Sequence, residues 1–250
     1  MQILGIDIGG SGIKGAIVDT EQGVLVGDRY RIPTPNTANP ENVVAVIADI
    51  VHHFNWKGAV SCGFPTPFHN GKCLSGGNLH NTWKGVSVSD FFKEKIGNDF
   101  TIVNDADAAG LAEIYFGAGK GVKGTVVMIT LGTGIGSSVF LNGHLLPNTE
   151  MGHVLHTDGD IFEKFASDAV RKKENLSRSE WGKRLHIYFK HIELLLSPDL
   201  FIIGGGASKK LDKFKDQIHI NTPLVAAKLK NEAGIIGAAL AVLDHQKINS

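Results

Sequence analysis

The chain is 250 residues long, 42% hydrophobic and 20% charged, with 25 Lys and Arg balanced by 25 Asp and Glu. That is the make-up of a soluble globular protein large enough to bury a full core. No apolar run approaches the ~20 residues that span a bilayer, and two cysteines, Cys62 and Cys73, cannot build a disulfide framework.

Taken in chain order, apolar runs predict strands over residues 3–8, 13–18, 59–64, 100–103, 125–130, 137–141 and 200–203. Helices are predicted over 41–54, 89–95, 106–116, 161–171, 179–196, 209–216 and 233–245. Trp181, Leu185, Tyr188, Phe189 and Ile192 form one apolar stripe at helical spacing, and Pro198 marks the stop of that helix. Strands mixed with helices indicate an α/β protein. The opening stretch has no basic region and no long apolar segment, so it reads as a strand rather than a signal peptide. A cytoplasmic chain with reduced thiols is expected.

One device occurs twice. Gly9-Gly10-Ser11-Gly12 and Gly132-Thr133-Gly134-Ile135-Gly136 each lie between two predicted strands. Both lead into a β pattern, not a helix, so neither is a dinucleotide-binding turn. Two similar domains are therefore expected, joined by a hinge near residues 105–113. Glycine loops let backbone N–H groups approach phosphate oxygens; they also serve plain hairpins, and both readings stand for each loop alone. Hydroxyls and a cation accompany them: Ser11 with Lys14, and Thr133 with Ser137. These are the donor types that phosphoryl transfer needs.

Asp7 ends an apolar strand, where a carboxylate is costly without a partner. It caps the turn, or it holds a hydrated Mg²⁺. Asn104-Asp105-Ala106-Asp107 follows a buried strand and opens a helix among small residues. Asp105 is either the helix N-cap or a general base for an attacking hydroxyl, with Asn104 beside it to hydrogen-bond neighbouring hydroxyls. Asp107 suits the first-turn helix dipole. Charge is segregated: residues 1–163 hold 10 Lys and Arg against 16 Asp and Glu, whereas residues 164–230 hold 14 against 7. The basic segment is a pair of solvated helices or a surface for an anionic partner.

The ordered set Asp7-Ile8-Gly9-Gly10-Ser11-Gly12-Ile13-Lys14, Gly63-Phe64-Pro65, Asn78-Leu79 with Trp83, Asn104-Asp105-Ala106, residues 131–136, Glu150-Met151-Gly152-His153 and Gly204-Gly205-Gly206-Ala207-Ser208 resembles the ROK sugar kinases of the hexokinase–actin superfamily. The resemblance spans residues 3 to about 240. It implies an α/β, two-domain, actin-like ATPase (ribonuclease H-like) fold with an interdomain cleft. The small domain would be 1–112 plus 233–250, and the large domain 113–232. It implies Asp105 as catalytic base, with Asn78, Asn104, Glu150, His153 and Glu163 binding the sugar and Asp7 the metal. Gly9, Gly10, Ser11, Gly12 and Lys14 would line the phosphate site. Gly132, Thr133, Gly134 and Gly136 would bind the donor phosphates, with Gly205 and Gly206 where the family places the adenosine of ATP.

Many family members carry a cysteine-rich zinc motif after the Glu-x-Gly-His sequence. Here residues 154–162 hold no cysteine, and His153 with His156 make a poor zinc site, so no structural zinc is expected. That absence, the short length and the Asn78-to-Trp83 spacing resemble the polyphosphate glucokinase subgroup. The implied reaction moves a phosphoryl group from polyphosphate, and ATP as well, to the 6-hydroxyl of glucose with Mg²⁺. The alternative is a strictly ATP-dependent hexose kinase. Arg171, Lys172, Lys173, Arg178, Lys183, Arg184, Lys209, Lys210, Lys213 and Lys215 are the cations that a polyanionic donor would engage. A homodimer is implied; a nucleic-acid or membrane partner is not. Repressors of the same family place a DNA-binding domain ahead of the kinase fold, and six residues before Asp7 leave no room for one. An actin-type filament protein is disfavoured by the Asn104-Asp105 pair and by Glu150, His153 and Glu163.

Overall fold

The structure is a computed structural model that describes residues 1–157 and 159–248. The chain divides into two compact units, Met1–Ala112 with Asn231–Ser250, and Glu113–Lys230. Residues 249 and 250 of the expected small domain lie outside the described residues.

In the first unit β1 (Gln2–Gly9), β2 (Gly12–Asp19) and β3 (Val24–Ile32) form an antiparallel meander. Then come α1 (Pro40–His53), β4 (Val60–Phe64), a small hairpin of β5 (Phe68–His69) and β6 (Lys72–Cys73), α2 (Val88–Ile96), β7 (Phe100–Asn104) and α3 (Asp105–Phe116). The sheet order is β3-β2-β1-β4-β7, with β4 parallel to β1 and β7 parallel to β4. Strand periodicity explains the packing of β1. Leu4, Ile6 and Ile8 are fully buried in a core with Val43, Ile47 and Ile50 of α1.

In the second unit β8 (Thr125–Leu131), β9 (Ile135–Leu141) and β10 (His144–Leu146) again form an antiparallel meander. After α4 (Glu163–Ala166), α5 (Asp168–Lys173) and α6 (Arg178–Leu196) come β11 (Leu200–Gly204) and β12 (Leu224–Ala226). The order β10-β9-β8-β11-β12, with β11 parallel to β8 and β12 parallel to β11, repeats that of the first sheet strand for strand. The Ser177/Glu180 capping box opens α6, and its stripe of Trp181, Leu185, Tyr188, Phe189 and Ile192 is buried as its spacing predicts. Glu113 is also fully buried and accepts hydrogen bonds from the N–H groups of Ala118 and Leu229, each at 2.7 Å. One carboxylate thus ties together the two ends of this unit.

The chain returns to the first unit as α7 (Ala233–Ile248). A Cβ at Gly5 would strike the Ile235 carbonyl, and one at Gly237 would strike Ala108, so glycine at both positions lets α7 lie directly on β1 and α3.

Two predicted helices are corrected. The stretch 161–171 breaks at Ser167, whose extended backbone (ψ 157°) and side-chain oxygen cap α5. The stretch 209–216 is a pair of 3₁₀ turns, Ser208–Lys213 and Lys215–Gln217. They are separated by Phe214, whose ring packs 4.7 Å from that of Trp181. The strands β3, β10 and β12 were not predicted. β3 is an exposed edge whose polar residues interrupt the apolar alternation, and β10 and β12 are three-residue edges too short to show a period.

Candidate active site

The first unit gathers Asp7, the first glycine turn, Asn104 and Asp105 at one end of its sheet. The parallel registers pair Asp7 with Gly63 and Phe64 with Asn104. At roughly 4.8 Å per strand, the chain positions of Asp7 and Asp105 lie about 10 Å apart along the carboxyl ends of β1, β4 and β7. Lys14 faces Asp7 across the hairpin, and their side chains pair at 3.0 Å. The carbonyls of the turn are held from outside: Thr34 Oγ1 donates to Gly9 at 2.5 Å, and Arg31 Nη2 donates to Ser11 at 2.8 Å. Asn78 is exposed and lies on the turn, 3.6 Å from where a Cβ of Gly10 would stand. Its loop is anchored by buried Trp83, whose indole N–H donates to the Ala38 carbonyl at 2.8 Å.

The side-chain oxygen of Asn104 accepts from the N–H groups of Ala106 and Asp107 at 2.9 and 3.2 Å. Asn104 is therefore the N-cap of α3, and Asp105 is not: it occupies the first helical position and is partly exposed. The expectation that Asn104 serves hydroxyl groups is narrowed to its amide nitrogen, because its oxygen is spent on the helix.

In the second unit the turn after β8 holds Gly132, Thr133 and Gly134, while Gly136 already pairs with Thr130 in the ladder. Beside it, Gly205 takes the left-handed conformation (φ 70°), and a Cβ there would collide with the backbone of Leu131. The two glycine loops are thus neighbours. Behind the first of them, Glu163 Oε2 accepts from the Ile135 N–H at 2.8 Å. Ser137 Oγ donates to the Thr149 carbonyl at 2.6 Å and accepts from the Met151 N–H at 2.8 Å, clamping the chain on both sides of Glu150. Ser137 is buried in this role, which corrects its reading as a phosphate-facing hydroxyl. His153 Nδ1 lies 3.8 Å from Glu150 Oε2.

The model of the ROK family matches residues 3–168. This chain belongs to the ROK family. The polyphosphate glucokinase of Mycobacterium tuberculosis is 45% identical over 238 residues, covering 95% of this chain and 89% of that one. The glucokinase of Streptomyces coelicolor is 27% identical over 311 residues, covering 94% and 96%. The crystal structure of the inorganic polyphosphate/ATP-glucomannokinase from Arthrobacter sp. strain KM superposes with a TM-score of 0.91 at 44% identity, covering 97% of this chain and 98% of that one. The fold is the actin-like ATPase fold.

In this ROK chain burial and the neighbouring Glu163 raise the Glu150 carboxyl above the ordinary carboxylate range, and His153 opposes them. Tyr188 is fully buried; burial, Glu150 and Glu163 all push its phenol upward, and its OH has no hydrogen-bond partner among the described residues. Sequence reasoning missed Arg31 and Thr34. Arg31 sits on β3, whose alternation of Tyr30 and Ile32 was its only signal. Asp7, the metal-binding candidate, offers a carboxylate oxygen, the donor type that magnesium favours, and pairs with Lys14 at 3.0 Å. Among the described residues no three His, Cys, Asp or Glu gather as a cage. Magnesium favours oxygen ligands and is commonly shared among one or two carboxylates, water and substrate phosphates.

Proposed function

We propose that this protein transfers the terminal phosphoryl group of inorganic polyphosphate to the 6-hydroxyl of glucose, giving glucose 6-phosphate, with ATP as a second donor. The reading rests on the 45% identity to a polyphosphate glucokinase along nearly the whole chain, and on the names of the relatives above. The structural observation that carries it is the capping of α3 by Asn104. A carboxylate at the first helical position that is not needed as the cap is suited to serve as a base.

In the proposed reaction the sugar's 6-hydroxyl gives its proton to an Asp105 carboxylate oxygen as it attacks the terminal phosphorus. The new O–P bond forms while the bridging P–O bond breaks, and its electron pair leaves with the shortened donor. Backbone N–H groups of the glycine turns and the Lys14 ammonium meet the charge on the phosphoryl oxygens. Asn78, the Asn104 amide, Glu150, His153 and Glu163 hold the sugar hydroxyls and set which one faces the base. Asp7 would hold magnesium, which when bound neutralises phosphate charge. Gly205 and Gly206 border the donor.

A homodimer acting in the cytoplasm belongs to the same proposal. Among the described residues no helix is long and apolar enough to cross a membrane. The deciding measurement is glucose 6-phosphate production with long-chain polyphosphate and with ATP in turn, under saturating glucose. Turnover with ATP alone would remove polyphosphate as donor; turnover with neither would remove the kinase assignment.

A further inference from the structure

The ten cations singled out between Arg171 and Lys215 look equivalent in sequence, but the structure separates them; Lys190, in the same span, pairs with Glu193 at 2.8 Å. Asp168 takes three: Arg171 at 2.6 Å, Lys172 at 2.9 Å and Arg178 at 3.5 Å. Arg184 is held by Glu174 at 2.6 Å and by the Phe165 carbonyl at 3.0 Å, and Lys215 pairs with Asp212 at 3.1 Å. Lys183, exposed on α6, has no ion pair among the described residues, but α6 starts at the Ser177 cap and not at a glycine loop, so it is set aside. Lys173, Lys209, Lys210 and Lys213 are left: all exposed, and none with a carboxylate partner among the described residues.

These four are rooted at the donor loops. The N–H of Ala169, in the first turn of α5, donates to the Gly132 carbonyl at 3.1 Å, and Lys173 ends the same helix. The 3₁₀ turn Ser208–Lys213 starts where the Ser208 hydroxyl donates to the Gly205 carbonyl at 2.8 Å. Leu211 and Phe214 are buried, so the lysines around them are left on the outside. Trp181 ties the two segments together, with Arg171 5.8 Å above its ring and Phe214 4.7 Å from it. Unneutralised cations on two segments that both begin at phosphate-type loops match a linear polyanion whose end is held in those loops.

We infer that Lys173, Lys209, Lys210 and Lys213 bind the part of a polyphosphate chain that extends beyond the reacting phosphate, and that Arg171, Arg178 and Arg184 are structural. This rests on polyphosphate being a donor. The paired arginines hold α5 against α6; the four lysines raise the local concentration of long chains and slow their release.

The test compares the wild type with a quadruple variant, Lys173→Gln, Lys209→Gln, Lys210→Gln and Lys213→Gln, on long-chain polyphosphate, tripolyphosphate and ATP. The expected result is a long-chain KM raised roughly tenfold to a hundredfold, with kcat and both short-donor reactions unchanged. The slope of log kcat/KM against log salt on long chains should become shallower by about two to three, as removal of four contacts to a single-stranded polyanion predicts. Arg184→Gln should leave the long-chain KM in place. An unchanged long-chain KM in the quadruple variant, or an equal rise for all three donors, overturns the inference while leaving the kinase reading standing. A wild type that ignores polyphosphate defeats the donor reading itself. If a single-stranded oligonucleotide competes as well as polyphosphate of equal charge, the surface is a nucleic-acid site and the inference fails.

Discussion

Replacing Gly134 by alanine tests whether the carboxylate behind the Gly132-Thr133-Gly134 turn serves the sugar or the phosphate. The backbone at 134 does not need positive φ, so alanine adds no strain. Its Cβ would, however, occupy the place of the Glu163 carboxylate, which accepts the Ile135 N–H at 2.8 Å. The obstacle is the far end of a flexible side chain, so the carboxylate moves and the fold survives. A hydrogen bond to a charged group is worth about 1.5–3 kcal/mol. At about 1.4 kcal/mol per tenfold, the KM for glucose should rise roughly tenfold to a hundredfold. Lower unfolded-state entropy returns about 0.4–1 kcal/mol, so the lost bond leaves a net cost of roughly 0.5–2.6 kcal/mol and a Tm lower by about 1–10 °C. Gly132→Ala is the control, because a Cβ there meets open space. It should raise the donor KM and spare glucose. Steady-state kinetics with each substrate varied in turn separates the two. If Gly134→Ala raises the donor KM and leaves glucose untouched, Glu163 is not positioned for the sugar and the reasoning is refuted.

Three further outcomes are expected. Asp105→Asn should keep glucose affinity by calorimetry and lose ~10²–10⁴-fold in kcat; near-normal turnover would remove Asp105 as base. Because burial and Glu163 hold the Glu150 carboxyl high, its charged form should be lost, as pH falls, before an ordinary glutamate of pKa about 4.3 would protonate. The glucose KM should therefore climb on acidification starting above that range, and Glu163→Gln should move the climb to lower pH; an unmoved profile in the variant would show that the two carboxylates do not interact. Burial pushes the Cys73 thiol up to about 12 and Cys62 higher still, so neither should react with iodoacetamide at pH 8 until denaturant is added, as mass spectrometry of the alkylated protein would report.

Much of the architecture was readable from local pattern. Residues 3–8 and 125–130 are nearly uninterrupted apolar runs followed by glycine turns and further strands, and sheets with helices on their faces produce that pattern. The two sheets do share one strand order. Edge strands left little trace: Val24–Ile32 is mostly exposed and carries Asp28, Arg29 and Arg31, so its pairing with β2, not its own composition, makes it a strand.

The candidate site divides the same way. The identities of Asp7, Asn104, Asp105, Glu150, His153 and Glu163, their order and the glycines between them are covalent facts, and chemistry could be assigned to each from its type and neighbours in the chain. Which atoms are already engaged could not be assigned in that way. Asn104 gives its oxygen to α3, Ser137 brackets Glu150, Asp168 absorbs three of the ten cations, and Arg31 reaches Ser11 from a strand that periodicity had missed. Hydrogen bonds and ion pairs act over about 3 Å in space regardless of distance along the chain. Whether a polar group is left over for a ligand is therefore settled when the folded backbone has chosen its neighbours.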